Sequence, residues 1–101
     1  MAIAEVSIVP LGTGSVSVSE YVAGAIAELQ KSGLSFQLTP MGTIIEGSLE
    51  DVLAVIRKMH ETPFNQGARR VYTTIKIDDR RDRKVQMGDK VQSVQKKLKK
   101  S

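Results

Sequence analysis

The sequence predicts an α+β fold in which four β-strands and two helices follow one another in the order β-α-β-β-α-β. Four short segments alternate apolar and polar residues with the two-residue period of a strand. Two longer segments between them repeat apolar residues at three- and four-residue spacing, as helices do, and Gly or Pro stands at most of the boundaries. This order is the split βαβ, ferredoxin-like arrangement, in which an antiparallel four-stranded sheet carries two helices on one face.

A small, polar loop separates the first strand from the first helix. Residues 3–9 alternate between two faces, and Pro10 ends the strand. Ser17 and Glu20 form a capping box, in which the two side chains satisfy free backbone N–H groups at the start of a helix. Apolar residues then recur with helical spacing, so a helix is predicted over residues 18–32.

The other three strands are predicted from the same two-residue period. Residues 34–39 and 43–46 are typical of two strands joined by a turn at Pro40-Met-Gly42. The strand at residues 70–78 is the clearest, because every second residue from Val71 to Ile77 is β-branched.

The second helix begins after Ser48, a favourable N-cap residue, and has acidic residues in its first turn. Pro63 and Gly67 are expected in the loop that follows this helix. A third, C-terminal helix is predicted over residues 85–100, where a thin apolar stripe runs between lysines. The apolar face of the second helix comprises Leu49, Val52, Leu53, Ile56 and Met59, and the stripe of the third comprises Val91, Val94 and Leu98.

Length and composition favour one soluble domain over residues 1–101. The chain has no cysteine, which excludes disulfides, thiolate nucleophiles and cysteine metal sites. It shows no signal peptide and no apolar run of membrane-spanning length, so we expect a cytoplasmic protein. The formal net charge of +4 comes from residues 84–101, which carry six lysines and one aspartate.

The pattern Pro-x-Gly-Thr occurs twice, at residues 10–13 and 40–43, each time after a predicted strand. In the ferredoxin-like topology the first strand lies between the third and the fourth, and both copies fall at one edge of the sheet, beside the N-terminus of the first helix. Free N–H groups there, together with Thr13, Ser15 and Ser17, could hold an anion. The simpler interpretation is that these hydroxyls cap the helix and that Pro and Gly end the strands.

The strand register determines which polar side chains meet on the open face of the sheet. If Ile8 pairs with Ile45 on the helix side, Ser7 lies opposite Glu46 on the other face. A carboxylate among hydroxyls could accept hydrogen bonds from an amino-heterocycle or balance a cationic ligand. The alternative is a cross-strand ion pair, in which Lys76 or Arg70 meets Glu46 or Glu5.

Several segments in combination carry a resemblance to a known family that covers almost the whole chain. They are Pro10-Leu-Gly-Thr13, Ser17-Val-Ser-Glu-Tyr-Val-Ala23, Thr39-Pro-Met-Gly-Thr-Ile-Ile-Glu-Gly47, His60-Glu-Thr-Pro-Phe64, Gly67 and Arg70-Val-Tyr-Thr-Thr-Ile-Lys-Ile-Asp-Asp-Arg-Arg-Asp82. Each motif is weak alone, but together they resemble the small, single-domain thiamine-binding (hydroxymethylpyrimidine-binding, YkoF-like) protein family.

The resemblance implies a ferredoxin-like fold, assembly into homo-oligomers that are dimers or tetramers, and binding of thiamine or its hydroxymethylpyrimidine moiety. It implies no catalysis and no cofactor besides that ligand, and a role as carrier, buffer or sensor. Thiamine joins an aminopyrimidine to a cationic thiazolium, which suits a carboxylate with hydroxyl neighbours. Ser7, Thr39, Thr43 and Glu46 fall on matching motif positions and are the candidate ligand contacts.

Catalytic and metal sites find little support in the residues. His60-Glu61 begins like a zinc-protease helix, but Phe64 stands where the second histidine would be needed. The aspartates of residues 78–82 suggest a metal site, although the arginines between them favour a solvated turn that neutralises its own charge. Neither pattern predicts an enzyme.

Two alternatives to a vitamin binder remain. The lysines of residues 85–100 could contact RNA phosphates, but the open face of the sheet offers at most Tyr72 for base stacking. A structural or regulatory homo-oligomer without this ligand is the other alternative, since Val9 and Ile44 on the open face and an exposed fourth strand favour association. The oligomer is compatible with ligand binding, because a groove shared between subunits could be the site.

Overall fold

A computed structural model of the chain describes residues 1–12 and 18–82, apart from the side chain of residue 18. The element order is the predicted one, and every predicted boundary within these residues agrees to within one residue, except the end of the second helix. The proposed cap at Ser17 and the third helix over residues 85–100 lie outside the described residues. The elements are β1 (Ala2–Pro10), α1 (Val18–Ser32), β2 (Ser35–Thr39), β3 (Gly42–Gly47), α2 (Leu49–Asn65) and β4 (Val71–Asp79).

The four strands form one antiparallel sheet in the order β2-β3-β1-β4. As predicted, β1 lies between β3 and β4, and the two helices cover one face. The described residues thus confirm the α+β, ferredoxin-like βαββαβ sandwich.

The predicted register between β1 and β3 is wrong by four residues. Ile45 lies opposite Ala4 rather than Ile8, and Thr43 lies opposite Val6. A shift by an even number keeps every side chain on its own face, so the alternation of apolar residues fits both registers equally well. The correct register therefore changes the cross-strand neighbours of each residue in β1 and β3, but each side chain stays on the predicted face of the sheet.

The core lies between the helices and the helix-side residues of the central strands. Small side chains at Ala2 and Ala4 of β1 are completely buried and let the helices approach the sheet. In α2 the buried positions 52, 55, 56 and 59 have the i, i+3, i+4, i+7 spacing of a single stripe. The core cluster comprises Ala4, Val6, Ala25, Leu29, Ile45, Val52, Val55, Ile56 and Met59.

Two sequence expectations about α2 need correction. Leu53, predicted on its apolar face, is 42% exposed, because it lies to one side of the buried stripe. Pro63 lies inside the last turn of the helix rather than in the exit loop. The missing N–H of Pro63 would have bonded to the carbonyl of Met59, and the Thr62 hydroxyl donates to that carbonyl instead, at 2.8 Å. This replacement bond lets the helix continue to Asn65.

Candidate functional site

The ends of β1 and β2 and the starts of β3 and β4 meet at one edge of the sheet, as the topology predicts. The Leu11 N–H donates to the Arg70 carbonyl at 2.9 Å, which ties the end of β1 to the start of β4. Gly42 and Thr43 begin β3 at the same edge. The residues at 10–12 and 40–43 therefore share this edge, whereas Thr13 lies outside the described residues.

The second Pro-x-Gly-Thr segment is held by the side chain of Thr39. The Thr39 Oγ1 accepts from the N–H groups of Met41 (3.2 Å) and Gly42 (3.1 Å) and donates to the Gly42 carbonyl (2.8 Å). A threonine hydroxyl that bonds the backbone two and three residues ahead stabilises a tight turn. The β2–β3 turn thus presents Met41, which is 82% exposed, from a fixed backbone.

A groove of about 350 Å³ lies between this turn, α1 and the end of β1. Met59 of α2 lies beneath it and is buried, while Tyr21 and Ala25 of α1 form one wall. Leu38 and Met41 form the opposite side. None of the fourteen described lining residues is Asp, Glu, Lys, Arg or His, so the groove is an apolar site with a few polar groups, the usual composition of a small-molecule pocket.

Two hydroxyl groups in the groove wall have no hydrogen-bond partner within the described residues. Tyr21 is only 3% exposed and Thr43 9% exposed, yet neither side chain makes a hydrogen bond there. No fully enclosed polar side-chain atom of the described residues lacks a partner, so both hydroxyl oxygens keep some accessible surface, and both residues line the groove. Each can donate one hydrogen bond and accept others from a ligand.

Of the four predicted contact residues, Ser7, Thr39 and Thr43 line the groove and Glu46 does not. The side chain of Thr43 lies on the helix side of β3 and lines the groove. Thr39 also lines the groove, but its hydroxyl is occupied by the turn. Ser7 reaches the groove from β1, although its side chain belongs to the open face, since the neighbours Val6 and Ile8 point to the helices. Their ligand contacts stay a prediction.

Glu46 does not line the groove, and the predicted pairing of Ser7 with Glu46 is wrong. Glu46 lies opposite Ile3 in β1, four residues from Ser7, which corresponds to about 13 Å along the strand. The pairing was predicted wrongly because the predicted β1–β3 register is off by four residues. The two side chains share the open face of the sheet but are not cross-strand neighbours.

The cross-strand ion pair weighed against that site is present on the open face. Lys76 lies opposite Glu5 in the sheet, and the Nζ atom is 3.8 Å from the Glu5 carboxylate. Both side chains are well exposed, so the pair contributes little to stability. The ion-pair alternative is therefore confirmed for Glu5 and Lys76.

Sequence reasoning missed Tyr21 and Met59 as parts of the groove. The helix pattern was interpreted without Tyr21, although it stands four residues before Ala25 and eight before Leu29 and so continues the buried stripe of α1. That spacing was the available signal. Met59 was assigned to the core, and only the depth of the groove shows that it also forms its base.

The other suggested sites prove to be internally paired. His60 Nδ1 lies 2.7 Å from the Thr73 hydroxyl, which ties α2 to β4. Asp79 and Asp82 accept hydrogen bonds from Arg81 and Arg80, and these bonds raise the pKa of each exposed guanidinium. Among residues 1–12 and 18–82, no three His, Asp or Glu side chains are grouped as a metal site. In the same residues, no helix has the length and apolar character needed to cross a membrane.

Comparison with known proteins identifies the family. A sequence model of the family described as "Thiamine-binding protein" matches residues 4–95. The chain belongs to the thiamine-binding protein family. UPF0045 protein YqgV of Bacillus subtilis is 50% identical to this chain over 97% of this chain and 98% of its own length. A UPF0045 protein of Methanothermobacter thermautotrophicus is 42% identical over 97% of this chain and all of its own length.

A solved structure shows the same fold as this thiamine-binding family member. Protein MJ1052 of Methanocaldococcus jannaschii superimposes with a TM-score of 0.83, at 39% identity, over 92% of this chain and 94% of its own. The agreement confirms both the family resemblance and the fold class that the sequence predicted.

Proposed function

We propose that this protein binds thiamine or its hydroxymethylpyrimidine moiety, without catalysis, in the groove between α1 and the β2–β3 turn. The family model that matches this chain is described as "Thiamine-binding protein", which supports a thiamine-like ligand. The observation that carries the location is the pair of open hydroxyls of Tyr21 and Thr43 in an otherwise apolar groove. Hydrogen-bonding groups left open in such a wall are suited to fix the orientation of a ligand.

The chemistry of the groove suits the pyrimidine half of the vitamin. An aminopyrimidine is flat, largely apolar on its faces and rich in hydrogen-bonding groups on its edge. Apolar side chains of Val22, Ile26 and Leu38 can contact the faces, while the hydroxyls of Tyr21 and Thr43 can bond to the edge. A volume of about 350 Å³ lies at the lower end of the range for ligand pockets. The cationic thiazolium is better placed at the solvent-exposed mouth, where its charge stays hydrated.

A carrier, buffer or sensor fits this site better than an enzyme does. Nucleophilic and acid–base catalysis need a reactive group positioned against the substrate. The described groove residues include no His, Asp, Glu, Lys or Cys, and the hydroxyls there have no adjacent general base. Binding and release of an unchanged ligand is the activity that these residues support.

Assembly into homo-oligomers, dimers or tetramers, forms part of the proposal. β4 is an edge strand of nine residues, and Tyr72 and Val9 lie opposite each other on the open face, 61% and 43% exposed. An exposed edge with adjacent apolar side chains favours pairing between copies. Light scattering coupled to size exclusion measures the subunit number, and a monomer at all concentrations would contradict this part of the proposal.

Isothermal titration calorimetry with thiamine, hydroxymethylpyrimidine and a thiazole control tests the ligand. We expect heat with the first two and none with thiazole alone. The absence of heat with all three, at the highest soluble protein concentration, would remove the vitamin-binding proposal. An RNA filter-binding assay, titrated with salt, is run in parallel, because salt-sensitive RNA binding without vitamin binding would favour a nucleic-acid module instead.

A matched pair of tyrosine variants tests the location. Tyr21→Phe removes the hydroxyl inside the groove, and Tyr72→Phe removes one from the exposed open face. Loss of one ligand hydrogen bond weakens binding by roughly 2- to 12-fold. We expect this weakening for Tyr21→Phe alone, and equal affinities for the two variants would place the ligand elsewhere.

A further inference from the structure

β4 carries apolar side chains on the helix side of the sheet that the two described helices cover only in part. Ile75 lies opposite Val6 and Ile77 opposite Ala4, so all four side chains point toward the helix layer. The two β1 residues are buried, at 2% and 0% exposure, whereas Ile75 is 41% and Ile77 is 42% exposed. Within the described residues, the helix layer thus covers β1 and leaves this part of the edge strand open.

Leu53 of α2 extends this partly open surface. It stands seven residues before His60, close to two helical turns, and so lies on the same side of α2. That side faces β4, because the His60 Nδ1 lies 2.7 Å from the Thr73 hydroxyl. Since α2 returns from the end of β3 to the start of β4, its first turns lie beside the end of β4. Leu53, which is 42% exposed, therefore joins Ile75 and Ile77 in one apolar surface, the β4 patch.

The chain that follows β4 has the pattern and the length to cover the β4 patch. Apolar residues recur there at positions i, i+4, i+7 and i+11, which lie on one stripe of a helix. They are Met87, Val91, Val94 and Leu98. A helix over residues 85–100 is about 24 Å long, and the nine residues of β4 extend about 30 Å. The stripe can therefore run along most of the edge strand.

The path of the chain and the family both favour this segment of the same chain as the occupant. β4 ends at Asp79, two residues after Ile77, so only residues 80–84 separate the strand from the predicted helix. A connection of that length is ordinary between neighbouring elements. The model of the thiamine-binding family extends to residue 95, so most of the segment belongs to the family's domain.

We propose that residues 85–100 dock as an amphipathic helix on the β4 patch of their own chain. The helix starts where β4 ends and runs back along it, with its apolar stripe on the patch. Lys96, Lys99 and Lys100 fall on the other side of this helix, where their ammonium groups stay in water. The positive charge of the segment is then the solvated face of a docked helix. This inference does not depend on which ligand the groove binds.

Amide hydrogen exchange of the full chain tests whether the segment is docked. In the natural protein we expect the amides of residues 90–100 to exchange more slowly than those of an unstructured peptide. Ile75→Asp puts a carboxylate into the contact and should speed their exchange by about tenfold or more. Thr74→Asp adds the same charge on the open face of the sheet and should change it by less than about twofold.

A pair of introduced cysteines identifies which chain supplies the segment, because the natural protein has none. Ile75 lies about 13 Å before the end of β4, and residue 94 about 13 Å after the start of the predicted helix, so the two positions meet. Ile75→Cys combined with Val94→Cys should give a cross-linked monomer with a short bismaleimide. Ile75→Cys combined with Lys96→Cys, on the other side of the helix, should cross-link more slowly.

Three results would overturn the inference. They are unprotected amides at residues 90–100 in the natural protein, equal acceleration by Ile75→Asp and Thr74→Asp, and a cross-linked dimer in place of the monomer. The last result would assign the β4 patch to the segment of a second copy. If Ile75→Asp also exposes the amides of α2 and β1, the whole domain has been destabilised, and Leu53→Asp repeats the test from the exposed side of α2.

Discussion

Thr43→Val is the substitution that most directly tests whether the groove is built for a ligand. Valine has nearly the shape of threonine and keeps the β-branched side chain that strands favour. The exchange removes only the hydroxyl, which has no hydrogen-bond partner within the described residues. We expect the free protein to become more stable while it binds ligand less well. A gain in stability together with a loss of ligand affinity is the result expected for a polar group whose hydrogen-bond partner is the ligand.

The magnitudes follow from the burial of Thr43. A hydroxyl taken from water without a compensating hydrogen bond costs about 1–3 kcal/mol in mutational data. Because Thr43 keeps 9% of its exposure and its hydroxyl reaches solvent in the groove, the lower end applies, and the free energy of unfolding should rise by about 1 kcal/mol. Loss of a ligand hydrogen bond should weaken affinity by roughly 2- to 12-fold.

Two other threonines provide controls for this test. Thr62 has the same 9% exposure, but its hydroxyl donates to the Met59 carbonyl at 2.8 Å. Thr62→Val should therefore lower the free energy of unfolding by about 1–2 kcal/mol, because Pro63 has no N–H to replace the lost donor. Thr74→Val, on the exposed face of β4, should lie within about 0.5 kcal/mol of the natural protein.

Urea denaturation of the ligand-free proteins measures these differences, with circular dichroism as the signal and the slope of the transition checked for constancy. Calorimetric titration gives the affinities. The reasoning would be refuted if Thr43→Val destabilised the protein as much as Thr62→Val, since that result requires a hydrogen bond at Thr43. Unchanged ligand affinity in Thr43→Val would refute its assignment as a ligand contact.

Three further changes test the surroundings of the groove. Thr39→Ala removes three turn hydrogen bonds and should lower the free energy of unfolding by about 1–2 kcal/mol in urea denaturation, whereas Thr39→Ser should retain most of it. Gly42→Ala should lower the melting temperature, because a Cβ there would lie 3.0 Å from the Val6 carbonyl oxygen of the adjacent strand. An unchanged melting temperature would mean that β1 and β3 can move apart at this point without loss of stability. Glu46→Gln should leave ligand affinity in calorimetry unchanged, since Glu46 is not part of the groove, and a tenfold loss would restore the open-face site.

The fold was predictable because its signals are local and agree with one another. The apolar periods identified all six described elements, and the Ser48 cap marked the start of α2, where its Oγ accepts from the Asp51 N–H at 3.1 Å. Pro63 misled the prediction, because its usual effect is to end a helix. The hydrogen bond from Thr62 that compensates for it depends on the side-chain geometry within the folded turn.

The site was harder to predict because it depends on register, which apolar alternation determines only to within an even number of residues. The correct register moves Glu46 away from Ser7 and brings Thr43 beside Val6. Tyr21 illustrates a second difficulty. Its spacing predicts burial, but whether a buried tyrosine hydroxyl finds a partner depends on atoms from other elements.

The two Pro-x-Gly segments explain why the groove forms where it does. Both lie at the same edge of the sheet: Pro10 is the last residue of β1, and Pro40 and Met41 form the turn between β2 and β3. Thr43 is the second residue of β3 at this edge and lies opposite Val6 and Leu38, two apolar residues whose side chains offer it no hydrogen-bond acceptor. Its hydroxyl must therefore remain open or meet a ligand. The Pro-x-Gly motif thus determines the backbone shape of the groove, and the side chains of Tyr21 and Thr43 supply its hydrogen-bonding groups.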